Sequence, residues 1–263
     1  MKTTFSILIA LLTAVQLSAQ CRLVRMETSD TSSTRFYYYD KQGRLSSEKG
    51  FKTISGKKLK SDIRYAYNDK NKLAAIQDFQ NDTLSIIRNL IYDNDVIKQV
   101  WTIWADDTTV SIGQFYYNEK GQVVRLVDKT KNRDTFSVNY EYAPEGWLKS
   151  YIYLSSYPDN NGKEEIYWNA DQKIINPNRV FFPGYPFMPN NGYAPIEPLS
   201  VKGNWKSRIQ YKLDKEGKFI KGDEHEVFDV KGNAEGLWTE DKHRIIGKDK
   251  IVTYRGFYEG CKN

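Results

Sequence analysis

Apolar and polar residues alternate with a period of two along most of this chain. Phe136, Val138, Tyr140 and Tyr142 fall on one side while Ser137, Asn139 and Glu141 fall on the other, the pattern of a strand with one packed and one wet face. Ile63, Tyr65 and Tyr67 oppose Asp62, Arg64 and Ala66 in the same way, and Ile209, Tyr211 and Leu213 oppose Arg208, Gln210 and Lys212. The stretch Leu148, Ser150, Ile152 and Leu154 carries the alternation less strictly.

Many of these runs end in a tyrosine followed by a turn. Tyr39-Asp40-Lys41-Gln42-Gly43-Arg44-Leu45 is the fullest case. An Asp or Asn after the strand can bond backbone two residues on, and a glycine three positions later supplies the left-handed conformation that closes a type I turn with a bulge. Copies start at Tyr67, Tyr92, Tyr117 and Tyr142, with Asn71 in the glycine position of the first, and weaker ones at Trp168, Leu213 and Phe228. From Tyr67 to Tyr142 the step is 25 residues each time, a fixed period that marks a repeated supersecondary unit. Polar connections at Asn81-Asp82, Asp106-Asp107, Lys131 to Asp134 and Asp159 to Gly162 supply the opposite ends of the hairpins.

The predicted fold is therefore all-β, an up-and-down antiparallel meander of repeated hairpins. Seven or eight hairpins give roughly 14 strands, more than the ~10 an open twisted sheet usually holds before it curls or splits. A curled or barrel-like single sheet follows, with a two-sheet or elongated arrangement as the alternative. Arg, Asp and Lys on one face and bulky aromatics on the other disfavour a membrane barrel, whose lipid face must be apolar; a polar-in, apolar-out arrangement would reverse that argument, and a membrane barrel stays as the minor alternative.

Composition adds little to this picture. Aromatic residues make up 14%, 19 of them tyrosine, which favours strands. Lys and Arg number 39 against 33 Asp and Glu, for a formal charge of +6. The two signs are interspersed, so there is no basic stripe for nucleic acid, and weak attraction to an anionic envelope or polysaccharide is as much as the charge supports.

The start of the chain does add something. Lys2, the apolar run Phe5 to Val15 and the small-residue exit before Cys21 describe a signal peptide over residues 1–20, too short for a spanning helix. Residues 21–263 then form one β-repeat domain, and the protein is expected to be exported to the periplasm, the cell surface or the medium. The two cysteines, Cys21 and Cys261, stand at the two ends of that domain. Export favours a disulfide between them; lipidation of Cys21, which would attach the chain to a membrane, is the competing reading, and Gln20 fits it poorly.

Tyr39-Asp40 with Gly43-Arg44-Leu45 resembles the YD, or RHS, repeat, and the chain after its leader resembles secreted bacterial proteins built from such repeats, some with a porin-like barrel. The resemblance covers Arg35 to about Leu154 well. It implies a β shell at the cell envelope, sometimes described as sugar-binding, and it transfers no catalytic residue.

The period fails between Asn176 and Trp205. This stretch holds six of the eight prolines together with Phe181, Phe182, Tyr185, Phe187, Tyr193 and Trp205, and it reads as a long irregular loop. It either plugs an end of the barrel or offers an aromatic platform to a glycan or peptide. Signals for chemistry are thin. His225, in Asp223-Glu224-His225-Glu226, and His243, in Asp241-Lys242-His243-Arg244, read as solvated strand positions, with Glu224 and Glu226 on one side and Asp223 and His225 on the other. No nucleophile elbow, phosphate loop or zinc motif occurs. No catalytic residue, metal or cofactor is expected; the expected partner is a glycan or an envelope protein, with a purely structural envelope role as the alternative.

Overall fold

The computed structural model describes residues 21–30, 33–54, 56–106, 109–130, 135–155, 161–168 and 205–261. The predicted leader over residues 1–20, the turn copy predicted after Trp168 and the aromatics from Phe181 to Tyr193 lie outside these residues. In chain order the strands are β1 (Arg22–Thr28), β2 (Ser33–Tyr39), β3 (Leu45–Ile54), β4 (Lys57–Tyr67), β5 (Leu73–Gln80), β6 (Thr83–Asp93), β7 (Val96–Trp104) and β8 (Val110–Tyr117). They continue as β9 (Val123–Thr130), β10 (Thr135–Tyr142), β11 (Leu148–Ser155), β12 (Gly162–Trp168), β13 (Trp205–Leu213), β14 (Phe219–Gly232), β15 (Trp238–Ile245) and β16 (Ile251–Glu259). Each pairs antiparallel with its neighbours in sequence, and β1 pairs with β16, so the meander closes into a barrel of sixteen strands. The sheet curls as its length demands, and the two-sheet arrangement is not the one adopted.

The tips are built as the turn chemistry requires. In the fullest copy Asp40 and Arg44 bond through N–H and C=O at 2.9 Å, Gly43 N–H donates to the Asp40 carbonyl at 2.9 Å, and Gly43 takes φ 80°. Asp40 Oδ1 accepts from the backbone N–H groups of Gln42 and Arg44, both at 2.9 Å. Asn68, Asn118 and Asp214 repeat these two side-chain bonds. Asn71 adopts φ 60° in the glycine position, a conformation that Asn tolerates better than most residues.

Two tips depart from the predicted form. Asn94 and Asp95 both have positive φ, 46° and 69°, and Asp93 pairs directly with Val96. That is a two-residue turn whose twist suits a tight hairpin. The copy placed at Phe228 to Gly232 is no tip. Those residues belong to β14, bulged near Asp229 at φ 51°. The Asp229 carboxylate binds Lys242 Nζ at 2.5 Å across the sheet instead of its own backbone. The turn comes next, where Asn233 Oδ1 accepts from Glu235 and Leu237 N–H at 3.1 and 2.9 Å.

Packing concentrates on the inner face near the tips. Leu23, Leu45, Leu73, Ile97, Val123 and Leu148, the inner residues near the starts of alternate strands, are at most 2% exposed. Burying an aliphatic side chain of this size contributes about 1.5–3 kcal/mol. Over each lies the tip aromatic of the following hairpin, whose polar atom donates to that residue's carbonyl. Tyr39, Tyr67, Tyr92, Tyr117 and Tyr142 hydroxyls reach Leu23, Leu45, Leu73, Ile97 and Val123 at 2.6–2.9 Å. The Trp168 indole N–H does the same to Leu148 at 2.5 Å.

Candidate functional site

Farther from the tips the inner face turns polar. Cross-strand pairing sets Tyr37 beside Glu48 and Glu48 beside Ile63, so carboxylate and phenols converge on β2, β3 and β4. Arg35 Nη1 donates to Glu48 Oε2 at 3.2 Å, and the Tyr65 hydroxyl makes a very short bond to Glu48 Oε1. Burial, and after it the Glu48 charge, pushes the Tyr65 and Tyr37 phenols up, so both keep their protons as donors. Burial alone would lower the Arg35 guanidinium, but Glu48 beside it leaves the group raised.

The same triad recurs across the barrel. Glu164 on β12 takes the Arg208 Nε–H from β13 and the Tyr151 hydroxyl from β11, the latter at 2.7 Å. Arg208 Nη2 also lies 3.3 Å from the Tyr151 oxygen. In each cluster a glutamate on the middle strand is held by an arginine from one neighbour and a tyrosine from the other. With β3 and β12 nine positions apart in a ring of sixteen, the clusters stand on nearly opposite walls. Buried Arg88 on β6 lies near Asp78; burial lowers its guanidinium pKa against the attraction of that carboxylate. Burial raises the Asp128 carboxyl despite the Ser111 hydroxyl at 3.2 Å. An open concavity of about 260 Å³ lies beside this belt, lined by residues including Thr28, Arg35 and Tyr254.

Of the residues singled out from sequence, Trp205 opens β13 and pairs with Trp168 through its backbone. Glu224 and Glu226 share the outward side of β14 and His225 faces the other way, beside Arg208. Far from being solvated, His243 is partly buried, with Nε2 2.9 Å from Asp241 Oδ1 and its ring 4.4 Å from that of Tyr254. Cys21 and Cys261 form a disulfide across the β1/β16 seam, with Cα atoms 4.3 Å apart and Asn233 Nδ2 beside both sulfurs at 3.8 and 3.7 Å. Glu235 approaches the same sulfurs, but a cystine offers no thiolate to a metal.

Sequence reasoning missed the Arg–Glu–Tyr clusters. Their members stand 13 to 57 residues apart along the chain, and only strand register brings them together. Alternation alone carries a partial signal, because Arg35 shares a side with Tyr37 and Tyr39.

The chain thus belongs by architecture with closed antiparallel barrels whose inner face is layered, apolar at the tips and charged beyond them. Among solved structures, a porin-like protein from Bacteroides uniformis ATCC 8492 is similar over 90% of this chain and 96% of its own, with a TM-score of 0.56 and 11% identity. That likeness is one of fold. A TcdB2–TccC3 structure without its hypervariable C-terminal region is 11% identical and matches 83% of this chain but 15% of its own, with a TM-score of 0.31. No family model and no curated protein matches the sequence.

Proposed function

We propose that this is an exported, non-enzymatic YD-repeat barrel that works in water at the cell envelope and recognises a glycan or an envelope partner. The observation that carries the reading is the outer face. Ion pairs sit along it on both halves of the ring: Arg64 with Asp62, Lys163 with Glu165, Arg244 with Glu226 and Arg255 with Glu240. On a lipid-facing surface a midplane Arg or Lys costs about 2–4 kcal/mol, whereas in water such pairs are almost neutral. The inner clusters use up their own carboxylates, since each glutamate is already held by both an arginine and a tyrosine. A leader and a disulfide across the seam suit an oxidising compartment.

Fractionation of the full chain expressed in a Gram-negative host tests the first half of this reading. The barrel should appear in the periplasm or medium without detergent; recovery only from detergent-extracted outer membrane would sink it. A glycan array and a pull-down from envelope extract test the second half. A silent array with a stable protein complex would favour the purely structural role.

A further inference from the structure

One stretch of the outer wall differs from the rest. Around β7, β8 and β9 the outward positions include Gln99 and Trp101, Gln114 and Tyr116, then Arg125, with Asn139 beside Arg125 on β10. Trp101 is 41% exposed and Tyr116 46%, two large aromatic rings left in water on a rigid sheet. Trp101 is held in place by its own neighbours. Its indole N–H donates to Gln99 Oε1 at 2.9 Å, and Gln99 Nε2 donates to Gln114 Oε1 at 2.9 Å. That relay uses the Gln114 carbonyl and leaves its amide N–H groups without a partner among the described residues. Arg125 lies beside the Tyr116 ring, 6.0 Å from its centre, and makes no ion pair among the described residues. Elsewhere on the wall Arg64, Arg244 and Arg255 each meet a carboxylate. Here the outward positions of β7, β8 and β9 hold none.

Resting on the glycan reading above, we infer that this patch is a binding site for an acidic oligosaccharide. A pyranose ring offers a flat C–H face, which suits an exposed indole or phenol, and hydroxyls that need hydrogen-bond partners at its edge. Trp101 and Tyr116 stand four residues apart along the strands and one strand apart across them, roughly 14 Å, the reach of a short oligosaccharide rather than of one sugar. Between them the Gln99–Gln114 relay presents oriented amides. At one end Arg125 supplies an unneutralised planar cation of the kind that grips a carboxylate through two parallel hydrogen bonds. Because Gln99 fixes the indole before any ligand arrives, little side-chain ordering remains to oppose binding.

Isothermal titration with a hexasaccharide of galacturonic acid, and with cellohexaose as a neutral counterpart, tests this on the full chain. The uronate should bind the more tightly. Trp101→Ala and Arg125→Gln should each weaken it at least tenfold with the melting temperature held, and Arg125→Gln should also erase the preference over cellohexaose. Tyr38→Ala, an exposed outer aromatic on β2, should change nothing. Uronate binding that survives both patch substitutions would overturn this site while leaving glycan recognition standing. A preference for cellohexaose in the wild type would overturn the acidic assignment, and silence toward both sugars and a wider array would remove the glycan reading itself.

Discussion

The hydroxyl of Tyr117 donates to the carbonyl of Ile97 at 2.6 Å, and this bond ties one hairpin to the hairpin before it. Register slips by one residue at each such tip, as between Tyr116 and Tyr117, and the extra residue falls on the following strand, which turns that strand's first apolar residue, here Val123, onto the inner face beside the tyrosine. Six equivalent bonds run from β2 to β12. Among the described residues they stop there: the Trp238 indole N–H and the Tyr258 hydroxyl, both buried, have no hydrogen-bond partner among them. The repeated tyrosine is thus a joint between units, which explains why it recurs where the turn residues around it drift.

Tyr117→Phe keeps the ring over Ile97 and removes only the donor. Leaving a buried carbonyl without its partner costs about 1–3 kcal/mol, and for a domain of this size each kcal/mol lowers the melting temperature by about 2–4 °C. Calorimetry should show a drop in that range. An unchanged melting temperature would mean that the bond has no part in joining the hairpins.

Cys21 and Cys261 close a loop of 240 residues. In the chain-entropy account a cross-link of that span stabilises by about 5 kcal/mol, so the Cys21→Ser/Cys261→Ser variant should unfold at markedly lower denaturant. The β1/β16 seam should lose amide protection before β6 to β9 do, because the bridge stands at its end. Equal protection across the ring in hydrogen exchange would count against a seam held by the cystine.

The Asp40 tip gives the barrel an acid-sensitive element. Burial raises the Asp40 carboxyl, but the Arg44 N–H and guanidinium together with the Gln42 N–H outweigh it and hold the group below its ordinary 3.8. A depressed folded value adds stability that is present above the unfolded pKa and is lost as pH falls through the folded one. Asp40→Asn should therefore cost about 0.2–1 kcal/mol at pH 7, the range for an exposed pair. That difference should shrink below about pH 4. A gap between the two melting curves that stays constant down to pH 2 would exclude this linkage.

Much of the wall was legible in the chain because its causes are local. Alternation, the Asx residue and the left-handed residue each act within a few positions, so the strands, tips and curl followed from them. On β13, though, alternation assigns the wrong face: register with β12 sets Arg208 and Gln210 inward beside Ile166 and Glu164 and leaves Ile209 and Tyr211 on the outer side with Glu165. Where two such signals compete, local reading fails. Asp229 and Asn233 both stand three residues before a glycine, and the turn forms at Asn233 because β14 stays paired with β15 past Asp229, out to Gly232 opposite Trp238. The polar belt was hidden for the opposite reason. Glu48 and Glu164 look like ordinary strand carboxylates until register sets an arginine and a tyrosine on either side.

The second triad offers the sharpest energetic test. Glu164 has a side chain 5% exposed and Arg208 one of 20%, so neither charge is well solvated once its partner is gone. Removing one member of such a pair costs about 3–5 kcal/mol, whereas replacing both by apolar residues of similar size is often neutral. Glu164→Gln should destabilise by that amount, softened if the amide still accepts from Tyr151, while Glu164→Leu/Arg208→Met should recover most of the loss. A double-mutant cycle by chemical denaturation measures the coupling directly. If the double variant is as unstable as the sum of its singles, the pair is not coupled, and the inner belt would have to be held by its tyrosines alone.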